Sequence, residues 1–148
     1  HKIKSGIDCS KFVCHSLDIP PTILELAGLP VKDFFQGKSL VPLLQGIEPL
    51  DWREDVVSTY NGQQFGLYTQ RMIRNTHGKY IWKTTDVDAL YNLIEDPEEL
   101  VNVIYETNNK NIIEDLRKRL YKELIKDEDD LVINNEWMKT QLWKGNKI

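Results

Sequence analysis

The chain has few of the residues that bind metals or brace small secreted folds: its 148 residues include two cysteines and three histidines. Zinc takes about four nitrogen or sulfur ligands at tight spacing. Cys9 and Cys14 stand as C-x4-C with His15 beside the second, but no second pair follows, so both read as ordinary thiols on a strand or its flank. A disulfide is allowed but not implied. A run of about 18 apolar residues, the length that crosses a membrane as a helix, is also missing. The opening "HKIKSGIDCSKF" lacks the apolar core of a secretory leader. Nor is there an excess of positive charge. Nineteen Lys and Arg face 23 Asp and Glu, for a net charge of -4 and a pI near 5.4. The basic residues are scattered among acids, which argues against a nucleic-acid partner, and nothing points to a membrane partner. An initiator Met is lacking too, so the sequence reads as a fragment of a longer protein. The segment reads as cytoplasmic, with secretion of the parent left open.

What is present suffices for a core, with 41% hydrophobic residues. In "LDIPPTILELAGLP" two prolines precede an apolar turn. They suit the first turn of a helix over Pro21 to Ala27, with Asp18 or Thr22 satisfying free N–H groups and Gly28 stopping it. Phe12, Val13, Leu17 and Ile19 suggest a short buried strand or entry segment before it. A helical turn is expected over Ser39 to Leu44 and a strand over Arg53 to Tyr60. "LYTQRMIRN" and "KYIWKTT" form a hairpin joined by Thr76-His77-Gly78, where glycine would supply a positive φ and His77 serves as a turn residue. A further strand runs near Ala89 to Leu93, and "PEEL" opens with Pro at a helix-compatible position. From Asn109 to about Lys126, Ile112, Ile113, Leu116, Leu120 and Leu124 recur at helical spacing, giving a helix with one face on the sheet. The acidic run Asp127, Glu128, Asp129 and Asp130 reads as a solvated loop. "WMKTQLWKG" offers a last helix built on Trp137 and Trp143. The fold class is α+β: an antiparallel sheet of about four strands packed against a long amphipathic helix.

The order of phrases "GIDCSKFVCHSLDIPPTILELAGLP", "QGKSLVPLLQG", "WREDVVSTY", "QRMIRNTHGKYIWK" and "DALYNLIEDPEELVNV", followed by an amphipathic helix, resembles the C-terminal part of the sulfatases. These belong to the larger alkaline-phosphatase-like group of metal-dependent hydrolases. The likeness runs from about Gly6 to Leu124. Asn92 departs from the Asp usual in Leu-Tyr-Asp-Leu, at a position that looks structural. The resemblance implies that residues 1–50 are the tail of an α/β catalytic domain and residues 51–148 a C-terminal α+β subdomain. It also implies that the parent hydrolyses sulfate esters with Ca2+ and a formylglycine made from an upstream Cys or Ser. High Lys, Asn and Ile usage suggests an AT-rich bacterial genome.

No C/S-x-P-x-R phrase occurs around Cys9, Cys14 or any Ser, and the family's metal-binding acids lie upstream of the matching segment. The fragment is therefore expected to lack catalytic residues, metal ligands and activity of its own, and to depend on the upstream catalytic domain as partner. In related sulfatases the loop equivalent to "STYNGQQFGLYTQRMIR" approaches the substrate, which makes Asn61, Gln63, Gln64 and Arg71 candidates for contacts to the non-sulfate portion. The bland alternative is a polar connector with Arg71 paired to a carboxylate. Tyr60, Tyr80 and Trp82 read as sheet packing. Two rival functions stay open: a fragment of a related phosphomonoester or phosphodiester hydrolase, and a stand-alone interaction domain without chemistry.

Overall fold

The structure, a computed structural model, describes residues 3–62 and 68–145. The chain divides into two compact units, residues 1–56 and 57–148.

In the first unit, helix α1 spans His15–Leu26, with Cys14 as its N-cap. It begins earlier than its prolines suggest: Pro20 and Pro21 lie inside it. Leu17 and Ile19, expected to be buried, are on this helix and exposed. A proline withholds the N–H that would bond the carbonyl four residues back, so α1 is a first turn joined to a helix that the prolines restart. The Asp18 carboxylate supports that turn by accepting the Cys14 N–H at 2.7 Å. At the other end Gly28 takes φ +71 and the Leu29 N–H returns to the Leu24 carbonyl at 2.9 Å, so the stop is where the glycine predicts it. Helix α2 is the short turn Val41–Leu44, with Val41 and Leu43 buried.

The second unit carries the sheet. Its strands are β1 (Val56–Tyr60), β2 (Gln70–Arg74), β3 (Gly78–Lys83) and β4 (Ala89–Asn92), in the order β1-β2-β3-β4. Strands β2 and β3 pair antiparallel with Arg71 opposite Trp82 and Ile73 opposite Tyr80, and β3 pairs β4 with Tyr80 opposite Leu90. Alternation along each strand puts Ile73, Tyr80, Trp82 and Leu90 on one face. Against them lies α3 (Lys110–Lys126), preceded by a 3-10 turn over Thr107–Asn109. Its Ile113, Leu116, Leu120 and Leu124 complete the core with Val132 of α4 (Asp130–Ile133) and Leu142 of α5 (Glu136–Lys144).

Several local expectations give way. Gly78 does not take a positive φ. The hairpin is closed by Asn75, whose Oδ1 accepts the N–H groups of His77 and Gly78 at 2.9 and 2.8 Å. Glycine serves packing there instead, since a Cβ would lie 3.3 Å from Leu116 Cδ1. "PEEL" makes a turn, not a helix. Ile112 is exposed at the edge of the α3 stripe, and α5 is anchored by Leu142 while Trp137 and Trp143 stay exposed.

Leu116 and Leu120 are almost wholly buried in the centre of the stripe. Either Leu→Ala change should cost about 2 to 4 kcal/mol. A loss under about 0.5 kcal/mol in denaturant melts would contradict the packing described.

Candidate functional site

The loop after β1 and the residues around its base form the candidate site. Gln63 and Gln64 lie outside the described residues. Asn61 is exposed, next to Gly62 at φ +70. Tyr60 and Tyr68, on either side of the loop, are half exposed or more, so Tyr60 is not the sheet-packing residue it was expected to be. Tyr80 and Trp82 are fully buried.

Arg71 does not reach into solvent with Asn61. It faces inward from β2 opposite Trp82 and is 3% exposed. Burying a guanidinium is costly without a partner, and Asp129 supplies one, accepting from Nε at 2.8 Å. The acidic run is therefore not a wholly solvated loop: Asp129 is mostly buried and also caps α4 through the Leu131 N–H. Arg71 Nη1 donates to the carbonyls of Tyr60 at 3.4 Å and Gln70 at 2.9 Å. One side chain thus ties the last residue before the loop to the first strand residue after it. The Thr69 carbonyl, accepting from Thr84 N–H and Oγ1 at 3.2 Å each, fixes the same base.

A second polar centre lies in the first unit and was read from sequence only as a helix cap. The Asp18 carboxylate is fully buried and pairs with Arg53, whose Nη2 donates to Oδ1 at 2.7 Å. It also accepts the Lys38 N–H at 2.9 Å. Thr22 Oγ1 donates to the Asp18 carbonyl at 2.6 Å and accepts the Leu40 N–H at 2.8 Å. Burial alone would raise the Asp18 pKa. The Arg53 guanidinium and the N–H groups of Cys14 and Lys38 outweigh it and hold the carboxyl below its ordinary value. Both groups of hydrogen bonds hold backbone in place.

In the core of the second unit, Tyr80 Oη donates to Asp88 at 2.6 Å. Burial, then the Asp88 charge, drive its pKa far above that of a free phenol. His77 is exposed at the hairpin tip, 3.1 Å from Thr76 Oγ1. Among the described residues no three His, Cys, Asp or Glu side chains come together as a metal would need. Among the described residues no set of side chains fits a calcium site. No helix among them is long and apolar enough to cross a membrane.

A four-stranded sheet backed by a long helix, with a strand-to-hairpin loop tied at both ends, defines a C-terminal α+β domain of the sulfatase type. Residues 1–127 match the family described as N-sulphoglucosamine sulphohydrolase, C-terminal, and the chain belongs to that family. It is 31% identical over 123 residues to an arylsulfatase of Clostridium perfringens, a match covering 82% of this chain and 25% of that protein. Among solved structures, a 2-O GAG sulfatase superposes with a TM-score of 0.70 at 29% identity, covering 78% of this chain and 25% of that one. A phosphonate monoester hydrolase of Agrobacterium radiobacter gives 0.59 at 25% identity, covering 74% and 23%. The chain thus spans about a quarter of the length of each of these proteins.

Proposed function

We propose that this chain is the C-terminal part of a sulfate-ester hydrolase, with residues 1–50 belonging to its catalytic α/β domain and residues 51–148 forming the subdomain that carries the substrate loop. One observation carries the reading beyond family membership. Ile19, Ile23 and Leu26 of α1, at helical spacing i, i+4 and i+7, are exposed, and so are Leu29 and Phe34 beyond it. An apolar helix face open to water calls for a covering surface, and the remaining three quarters of a sulfatase-sized polypeptide would supply one. In the whole enzyme a formylglycine would provide the nucleophile and Ca2+ the countercharge for the sulfate oxygens. Both would be held by upstream residues.

This chain's own part is positioning. Asn61, Gln63 and Gln64 contact the part of the substrate that is not sulfate, and Arg71 holds the loop's ends for them. Purified alone, the chain should give no turnover of 4-nitrophenyl sulfate with calcium, magnesium or manganese. Turnover above a protein-free control that survives repurification would defeat this. The likeness to a phosphonate monoester hydrolase favours phosphorus chemistry as the second reading. The polypeptide that contains this chain decides between them: a C/S-x-P-x-R phrase upstream and preference for aryl sulfate over aryl phosphonate support the sulfatase.

In that polypeptide Gln64→Ala should lower kcat/KM for the native substrate about tenfold, the equivalent of losing one polar contact of about 1.4 kcal/mol. A small aryl sulfate, which lacks the contacted groups, should lose much less. Equal loss on both substrates would make the loop purely structural.

A further inference from the structure

The second unit also holds an open cavity of about 660 Å³, within the size range of small-molecule sites. Its lining includes Thr84, Thr85, Tyr105, Arg117, Gln141 and Gly145. Two unmet needs converge on it. Gln141 Oε1 is buried with no hydrogen-bond partner, a state that costs free energy unless a ligand or water relieves it. Arg117 donates Nε to Tyr80 Oη at 3.5 Å and sets its guanidinium over the Tyr80 ring, 5.7 Å from the centroid, and among the described residues its terminal nitrogens make no hydrogen bond. The guanidinium lies against the α5 cap, where a Cβ on Gly145 would sit 2.1 Å from Nη1.

The charges around the cavity select the ligand. Asp86 and Asp88 also line it and would repel an anion, while Arg117 would repel a cation. A neutral molecule that both donates and accepts at many points suits this mixed lining. Tyr105, 81% exposed, offers an aromatic face, and Ile104 and Ile113 give an apolar patch. Hydroxyls around the rim of a ring with an apolar C–H face meet all of these requirements. We infer that this cavity is a saccharide-binding site. Gln141 and Gly145 lie beyond residues 1–127, the part that matches the family, and the rest of the lining lies within it.

The inference goes beyond the proposed hydrolysis and does not need sulfate, so the two fail separately. The test titrates the isotope-labelled full chain with N-acetylglucosamine, its 6-sulfate, inorganic sulfate and tetraglycine, read by amide NMR. Saturable shifts are expected at Thr84, Thr85, Tyr105 and Gln141 with N-acetylglucosamine, and weaker ones with its anionic 6-sulfate. Tyr105→Ala and Gln141→Leu should each weaken binding about tenfold, while Lys118→Ala, on the exposed side of α3, should not. Tyr105→Ala changes an exposed side chain, so it reports on binding without risk to the fold. Shifts with inorganic sulfate or tetraglycine alone, shifts insensitive to both variants, or no saturable shift with either sugar would overturn the assignment.

Discussion

Asp18→Ala should destabilise the first unit by about 3 to 5 kcal/mol, the usual result of removing one partner from a buried ion pair. The change would leave the Arg53 guanidinium without its carboxylate and would strip the N–H groups of Cys14 and Lys38 of their acceptor at the same time. The same carboxylate sets an acid limit. Its folded pKa lies below the ordinary 3.8. Its contribution is therefore complete above that value and is lost as the pH falls from there through the folded pKa. Asp18→Asn should flatten that acid dependence while lowering stability at neutral pH. Because the chain has two units, a single melting curve would mix them, so amide exchange at Lys38 and Leu40 is the measurement to use. Unchanged protection at those amides in Asp18→Ala would show that Arg53 and the Gly37–Leu40 segment are held by something else.

Periodicity made the second unit legible: the β2–β3 hairpin, the β4 strand and the α3 stripe all fall where apolar spacing puts them. What the sequence hid was long-range pairing. Arg71 and Asp129 are 58 residues apart, and Arg53 and Asp18 are 35 apart. No local pattern links such partners, so Asp129 reads as one more acid in a charged run, and Arg71 reads either as a substrate contact or as the partner of an unnamed carboxylate, which the structure supplies in Asp129. The inward turn of Arg71 follows from the same alternation that buries Ile73, two residues on. Counting the strand's parity from Ile73 would have placed the guanidinium in the core and called for a carboxylate opposite it. For the loop itself, this makes Arg71 a positioning residue: Arg71→Ala would unfasten the carbonyls of Tyr60 and Gln70 together, and should lower stability as well as activity.

Gly37→Ala should destabilise the first unit by about 3 kcal/mol, at the upper end of the ordinary cost of overpacking. A Cβ at this position would lie 1.9 Å from the Leu17 carbonyl oxygen and 2.9 Å from the Asp18 nitrogen, and both are backbone atoms that cannot swing aside as a side chain would. The cause goes back to the two prolines. In an unbroken helix the N–H of residue 21 would bond the Leu17 carbonyl, but Pro21 has none. That carbonyl is left open on the helix surface, and the hydrogen that a Cβ would replace on Gly37 points at it, in the manner of a weak Cα–H···O contact. The close approach then sets the Lys38 N–H on Asp18 and the Leu40 N–H on Thr22. The Asp-x-x-Pro-Thr and Gly-Lys-Ser-Leu phrases are thus two sides of one contact. Gly28→Ala is the proper control: Gly28 also resists substitution through its φ of +71, but a Cβ there would meet open space. That change should cost only about 1 to 2 kcal/mol of left-handed strain. Amide exchange of α1 in both variants separates the two effects. Equal losses would mean that close approach is not what position 37 requires.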